Sequence, residues 1–465
     1  MKNKTIRDFA NYALGDLFVK GFLFISLPLL SRVLSPEEYG KLSIINTAIM
    51  IVYVFVSLNL QNAITNRYML VSEGFSDYFK TIILFLFPFQ IIILLLSPLL
   101  SNPISLILGI DPKDFIWVIV ICMMLSYLYI YTCYLQASRQ SSAYVKINMI
   151  SKISEIFLIF IFAYVMTQQQ YMSKIYAQLV VTSFILICLF RRLRDLSIGV
   201  FKINYLKEAL VFSIPLIIHV LSNSLLSQAD RIIINNILGA SAAGIYSFAY
   251  NLGAGILVLI MAWNSSWQPR LYKCIEKKDT STILQITKAS TIIIFVISTI
   301  VILFSKEMIL IFADKTYYSG ADVLPIIIIG NSLIHLYLIF VNFIFYKKRT
   351  IIISIATLIA VMINIGFNYL LIPMFGIIGS AWATVFSYLI LTLLHYVSSK
   401  YITANNLISF KFVVYYFLGL IMVYYLTKYI ELNMSVLQSV LVKICIALVT
   451  IALLFKIKLH HKLSD

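Results

Sequence analysis

The chain has 465 residues, of which 61% are hydrophobic and only 12% charged, with a formal net charge of +17. A soluble domain is about a quarter charged, and none buries the apolar surface implied here by a mean hydropathy of +0.95. A soluble fold is therefore excluded, and the bilayer is the solvent for most of the chain. In a soluble protein the positive charge would point to nucleic acid. Here no soluble domain is left to carry such an interface, and basic loops retained on the cytoplasmic side account for the excess. The five cysteines, Cys122, Cys133, Cys188, Cys274 and Cys445, include no C-x-x-C pair, so neither a disulfide framework nor a metal centre is indicated.

Apolar runs of spanning length recur from end to end. The basic start Met1–Arg7 leads into a first run, Tyr12–Val33, that lacks a small-residue cleavage site and reads as a retained helix. Then come Ser43–Ile64, Phe79–Ser101, Phe115–Leu135, Ile147–Met166, Ile175–Phe190, Leu210–Ala229 and Ile245–Trp267. The second half supplies Ala289–Ser305, Val323–Tyr346, Ile351–Pro373, Ile378–Ser398, Phe410–Thr427 and Val436–Lys456. This predicts an all-α polytopic membrane protein of about fourteen spans, or twelve if the sixth and ninth runs are discounted. The runs are continuous rather than alternating, which rules out a closed barrel. Most of the 36 basic residues fall in segments on one side, among them Arg139, Lys146, Arg191, Arg192, Arg194 and Lys202, while Lys113, Lys174, Lys306 and Lys428 fall on the other. That alternation places both termini in the cytoplasm.

A short internal repeat is present. Leu34-Ser-Pro-Glu-Glu-Tyr-Gly40 joins spans one and two, and Leu238-Gly-Ala-Ser-Ala-Ala-Gly244 joins spans seven and eight with the same Leu-to-Gly spacing. The division it suggests is a six-helix lobe over 1–205, a second over 206–400, and two further helices with a tail over 401–465. Six helices is an even number, so the lobes share one orientation and relate by an axis along the membrane normal.

Polar groups inside the spans mark candidate function, because a charge in hydrocarbon costs about 2.5–3.5 kcal/mol or more. Lys20 follows Asp16 by one turn, and Lys152 precedes Glu155 by three residues; each set reads either as a structural ion pair or as a cavity charge. In span seven His219, Asn223, Ser227 and Asp230 form one continuous polar stripe, with Arg231 beside it, which a lipid-facing helix does not tolerate. Asn331 and His335 begin a thinner stripe in span ten, where His335 reads equally as a hydrogen-bonded packing residue. Asn62 and Asn66 end span two, and Asn264 and Trp267 end span eight, giving candidates for a hydrogen-bonding inner mouth suited to sugar hydroxyls or to plain helix packing.

No phosphate loop, HExxH or GxSxG elbow occurs, and no outer loop is large enough for a catalytic domain, so the chain does not read as an enzyme. A membrane-embedded polysaccharide polymerase or ligase, a small-molecule antiporter and a structural scaffold are the competing classes.

Three blocks carry a family resemblance. They are Pro28 to Gly40, then Ile214-Pro215 leading into Asp230 to Gly239 and Gly244-Ile-Tyr246, and Asn364 to Thr384 with Asn368, Ile372-Pro373 and Gly376-Ile-Ile-Gly379. Together they resemble the Wzx-type O-antigen flippases of the multidrug/oligosaccharidyl-lipid/polysaccharide (MOP) exporter superfamily. The resemblance implies two six-helix lobes in a V plus two C-terminal helices. It implies transport of an undecaprenyl-diphosphate-linked oligosaccharide across the bacterial inner membrane by alternating access. No cofactor is implied. A coupling ion, proton or sodium, stays open, and membrane lipids and other polysaccharide-assembly membrane proteins are the implied partners.

Overall fold

The computed structural model describes the backbone of residues 2–71, 73–403 and 407–462; the side chains of 2–10, 12–14, 16, 403 and 453–462 lie outside the description. The secondary structure is helical, with no strand among the described residues. Twelve of the fourteen apolar runs fall, to within a residue or two, on a helix or on one arm of a helix; Ser43–Ile64 crosses a break between two helices, and so does Ile245–Trp267. The helices are α1 (Lys2–Val33), α2 (Pro36–Ser57), α3 (Leu60–Leu70), α4 (Phe75–Leu108), α5 (Pro112–Ala137), α6 (Ser141–Val165), α7 (Ser173–Leu196) and α8 (Ile203–Leu238). They continue with α9 (Ala240–Gly253), α10 (Gly255–Glu276), α11 (Thr280–Leu303), α12 (Ser305–Phe312), α13 (Leu324–Tyr346), α14 (Thr350–Thr403), α15 (Phe410–Asn433) and α16 (Val436–Lys462).

Among the described residues ten helices are long and apolar enough to span, and α9 with α10, bent by 40°, make an eleventh. α14 holds two spans. At Gly376 the backbone turns through φ 61°, ψ −143°, a conformation open to glycine, and the chain folds back. The fold-back is so tight that a Cβ on Gly379 would overlap the Leu371 carbonyl. Asn368 Nδ2 donates to Asn364 Oδ1 at 3.1 Å, and Ser380 Oγ donates to Asn368 Oδ1 at 2.6 Å, which satisfies polar groups at the bend. α4 and α8, of 34 and 36 residues, outrun their apolar cores. At about 1.5 Å per residue each exceeds the roughly 30 Å hydrocarbon layer.

The chain forms two compact units, Met1–Gly244 and Ile245–Asp465. In the first, α1 packs on α6, α6 on α7, α2 on α5 and α8, and α3 and α4 on α5. Its core runs from Ile45, Ala48 and Val52 on α2 through Val118, Cys122 and Leu125 on α5 to Ile175 and Ile185 on α7. α2 starts where it does because Pro36 occupies the first turn and Ser35 Oγ accepts from the Glu38 amide at 3.3 Å. It stops at Leu58 and Asn59, both left-handed (φ 48° and 54°), and α3 carries on. Such a pair of non-glycine residues is strained by about 1–3 kcal/mol each. The break is held by neighbours: Gln90 Nε2 donates to Val56 O at 3.2 Å and Ser213 Oγ to Asn59 O at 3.3 Å. The long basic connection after α7 is also tied down. Ser76 Oγ donates to Ile198 O at 2.6 Å, the Val200 amide to Asp77 Oδ1 at 2.8 Å, and Lys202 pairs with Asp77 at 2.6 Å.

In the second unit α13 is the central helix, buried along nearly its whole length against α10, α11, α14 and α15. The longest predicted outer loop is compact, formed by α12 and a 3-10 turn over Lys315–Asp322. The C-terminal hairpin α15–α16 is fastened there by charge. Lys443, fully buried, donates to Glu307 Oε1 and Glu431 Oε1, both at 2.8 Å, and Lys428 pairs with Asp322 at 2.5 Å. Lys443→Met takes from Glu307 its described partner and leaves Glu431 only Lys428, at 3.9 Å; removal of one partner from a buried pair costs about 3–5 kcal/mol. The expected result is earlier protease cleavage in α15–α16 than in α13 as the variant is warmed; unchanged cleavage would show that the charges do not fasten the hairpin.

Candidate functional site

The first-unit residues singled out in the sequence fall into three places. Lys20 is exposed on α1; its partner by spacing, Asp16, has its side chain outside the description. Lys152 and Glu155 face each other on α6 at 3.1 Å, as their three-residue spacing predicts. They are not alone. Lys174, in the first turn of α7, donates to the other oxygen of Glu155 and is as buried as that carboxylate. By loop charge Lys174 is expected in an outer segment, and the structure instead buries it against Glu155. One signal was available: a cation at a helix N-terminus opposes the helix dipole, so it needs a carboxylate nearby. The triad holds two cations on one anion, and the surplus charge is on the Lys152 side, whose side chain is 36% exposed.

The α8 stripe is the second place. His219 Nε2 and Asn223 Nδ2 lie 3.2 Å apart, and Ser227 Oγ donates to the Asn223 and Ser224 carbonyls at 3.1 Å. Asn223 is exposed, and His219 and Ser227 are partly so. One turn on, the same stripe is buried: Asp230 and Arg231 are 2% and 4% exposed, and Asp230 Oδ1 accepts from the Arg231 amide at 2.9 Å. Asn235 and Asn236, beyond them, donate to the carbonyls of Gly109 and Ile107 at 3.2 and 3.3 Å and tie α8 to the end of α4. The stripe therefore has an open half and a fixed half.

The third place is the contact of α2 with the start of α9. A Cβ on Gly40 would overlap the Ala240 carbonyl, and a Cβ on Gly244 would overlap the Pro36 carbonyl. The two repeat-related turns thus pack backbone to backbone, reciprocally. Asn62 and Asn66 are half-buried on α3, just past the break in α2.

In the second unit the candidates are interior. Asn331 Nδ2 donates to Gly253 O at 3.2 Å, at the break between α9 and α10. His335 is fully buried, 3.1 Å from Thr291 Oγ1, with its ring 4.4 Å from that of Trp263. Asn264 accepts from Asn342 Nδ2 at 2.8 Å. Trp267 is 3% exposed and stacks on Trp263, so it packs rather than lines an opening. Both halves of the repeat thus interrupt their second span, at Leu58–Asn59 and at Gly253–Ala254. Discontinuous spans of this kind accompany binding sites in transporters. Among the described residues no group of histidine, cysteine and acidic side chains is placed to hold a metal ion.

This is the fold of a multi-pass membrane transporter, and comparison with known proteins agrees. The family described as "Polysaccharide biosynthesis protein" matches residues 5–275, and MatE matches 215–370. The chain belongs to the polysaccharide biosynthesis protein family, within the MOP exporter superfamily. The "Lsg locus putative protein 1" of Haemophilus influenzae is 24% identical over 81% of this chain and 95% of its own length. An "Uncharacterized membrane protein" of the same organism is 24% identical over 78% of this chain and 89% of its own length. Among solved structures, the lipid II flippase MurJ in an inward closed conformation aligns with TM-score 0.70 at 14% identity, over 96% of this chain and 99% of that one. An inward-facing multidrug resistance transporter of the MATE family aligns with TM-score 0.60 at 13% identity, over 85% and 99%.

Proposed function

We propose that the chain flips an undecaprenyl-diphosphate-linked oligosaccharide, an O-antigen or related surface-polysaccharide repeat unit, from the cytoplasmic to the periplasmic leaflet of a bacterial inner membrane. Both termini are cytoplasmic in this reading. Transport runs by alternating access between six-helix lobes over 1–205 and 206–400, with 401–465 appended. The observation that carries the reading is the open half of the α8 stripe, His219, Asn223 and Ser227, held polar side out on a helix that the family match covers. Imidazole, amide and hydroxyl suit sugar hydroxyls. Lys152, with the surplus charge of its triad, suits a diphosphate, and Lys20 adds a second exposed cation. A polyprenyl tail stays in lipid and asks nothing of these groups. Two negative charges moving outward across a potential of 100 mV, negative inside, gain about 4–5 kcal/mol if they cross the whole field, so the potential alone favours export.

The test replaces His219 and Asn223 with leucine and measures movement of a polyprenyl-diphosphate oligosaccharide in proteoliposomes. Transport is expected to fall by about tenfold or more, the scale of losing one or two good hydrogen bonds, with normal abundance. Ile218→Leu, on an exposed apolar face of the same helix, is the neutral control. Full transport by the double variant would remove the stripe from the pathway. The MatE match over 215–370 favours one second reading, a small-molecule antiporter; drug sensitivity without any glycan defect in a deletion strain would establish it.

A further inference from the structure

A second candidate site, a cavity, lies away from the α8 stripe. It lies wholly in the first unit, has a volume of about 900 Å³, and is built where the start of α1, the α5–α6 turn and the end of α7 come together. Three cations line it, Arg139, Lys146 and Arg192, and no acidic side chain does among the described residues. None of the three forms an ion pair with a described residue. Like charges are thus gathered from separate elements with no carboxylate among the described residues paired to them, which folding alone does not favour.

The neutral lining has matching chemistry. Ser141 and Ser142 open α6, whose preceding residue, Gln140, makes no side-chain cap, so the first amides of a 25-residue helix face this end of the unit. Asn11 Nδ2 reaches Ser141 Oγ at 3.3 Å and closes the α1 side. Gly15 lets α1 sit against α6 there: a Cβ on it would come within 2.6 Å of Val145 Cγ1. The turn itself depends on Arg139 in the left-handed region, φ 57°. Guanidinium groups, an ammonium, hydroxyls and helix amides are the donor set of a phosphate site.

The rim decides what carries the phosphate. Ile147 lines the cavity, and Ile150, one turn further along the same face of α6, is 53% exposed. An anionic ligand seated among the cations would lay any attached chain over these side chains. We infer that the Arg139–Lys146–Arg192 cavity binds the phosphate headgroup of a lipid from the adjacent leaflet, at a site separate from the α8 stripe. The basic end of the unit is the cytoplasmic one by loop charge, where anionic headgroups are met. Two lipid sources share the chemistry, an anionic phospholipid and a polyprenyl diphosphate.

Cys188 lines the cavity, is exposed, and provides a reporter. The experiment uses the full chain in nanodiscs with Cys445, the other exposed cysteine, changed to serine. In phosphatidylcholine, a negatively charged methanethiosulfonate reagent is expected to modify Cys188 about tenfold faster than a positively charged one, as a local potential of a few kT implies. Arg139→Gln/Lys146→Gln/Arg192→Gln is expected to erase that preference without loss of monodisperse protein, since all three side chains are exposed. Phosphatidylglycerol in the disc is expected to slow labelling in the native background and not in the triple variant, which supports the site with phospholipid as source. Protection by added undecaprenyl diphosphate, and not by phosphatidylglycerol, supports it with the carrier lipid as source. Equal protection by inorganic diphosphate overturns the lipid assignment, and equal rates for the two reagents overturn the site. None of these readouts requires transport, so the flippase proposal and this one fail separately.

Discussion

Gly244→Val and Gly40→Val are each expected to lower transport by about tenfold or more, and to lower the melting temperature of the purified protein. The reason is backbone, not side chain. Each new Cβ meets a carbonyl of the opposing turn, Pro36 for Gly244 and Ala240 for Gly40, and a carbonyl inside a helix start has nowhere to rotate. The two turns must separate, so the overpacking is felt at about 1–3 kcal/mol or more. Gly21 and Gly366 supply the controls, because a Cβ on either meets nothing within 4 Å and helix propensity changes by only about a few tenths of a kcal/mol in valine's favour. In the alternating-access cycle proposed above, this contact would close in one state and open in the other. A disulfide between cysteines placed at Pro36 and Ala240 should therefore form in the native background and fail in Gly244→Val. Efficient cross-linking in the valine variant would show that the turns still meet and that the glycines are dispensable.

Glu155→Leu is expected to be the most damaging single change in the first unit. It strands Lys152 and Lys174 together beside a core with no other described carboxylate on them, and an uncompensated buried charge costs about 3–5 kcal/mol. Lys174→Met is expected to be much milder, because it leaves Lys152 and Glu155 as a neutral pair at 3.1 Å. The ordering is the informative part, and thermal unfolding followed by size-exclusion chromatography reads it. If Lys174→Met proved as harmful as Glu155→Leu, the triad would not act as one anion shared by two cations. Transport measured on the surviving Lys174→Met protein then separates structure from function, since Lys152 keeps its partly exposed ammonium.

Most of the spans are legible because they are continuous apolar runs, and the bilayer demands nothing subtler. Helix length was less so. α4 and α8 run on past their apolar cores, where hydrogen bonding of the helix continues and hydropathy stops reporting. The breaks were not legible at all, since Leu58 and Asn59 adopt left-handed backbone that neither residue advertises. The repeat was visible as a Leu-to-Gly spacing, and its cause is the reciprocal contact that only glycine permits. The stripe on α8 and the pair on α13 looked alike in sequence. One is partly open and the other interior, because a polar side chain at helical spacing serves a wall and a packed seam equally well. Trp267 belongs to the seam for the same reason, stacked on Trp263. Arg139, Lys146 and Arg192 were plain loop charges in the sequence; their convergence on one cavity depends on three separate elements that no local pattern links.

Central to the account is the movement of a sugar-bearing lipid from one leaflet to the other, and the most direct measurement is its sidedness in cells. In a strain lacking the gene, the lipid-linked repeat unit is probed on intact spheroplasts with an impermeant sugar-modifying enzyme, before and after permeabilisation. The account predicts accumulation of repeat units reached only after permeabilisation, reversed by the native chain and not by the His219→Leu/Asn223→Leu variant. Repeat units fully reached before permeabilisation in the deletion strain would contradict it, since the glycan would then have crossed without this protein.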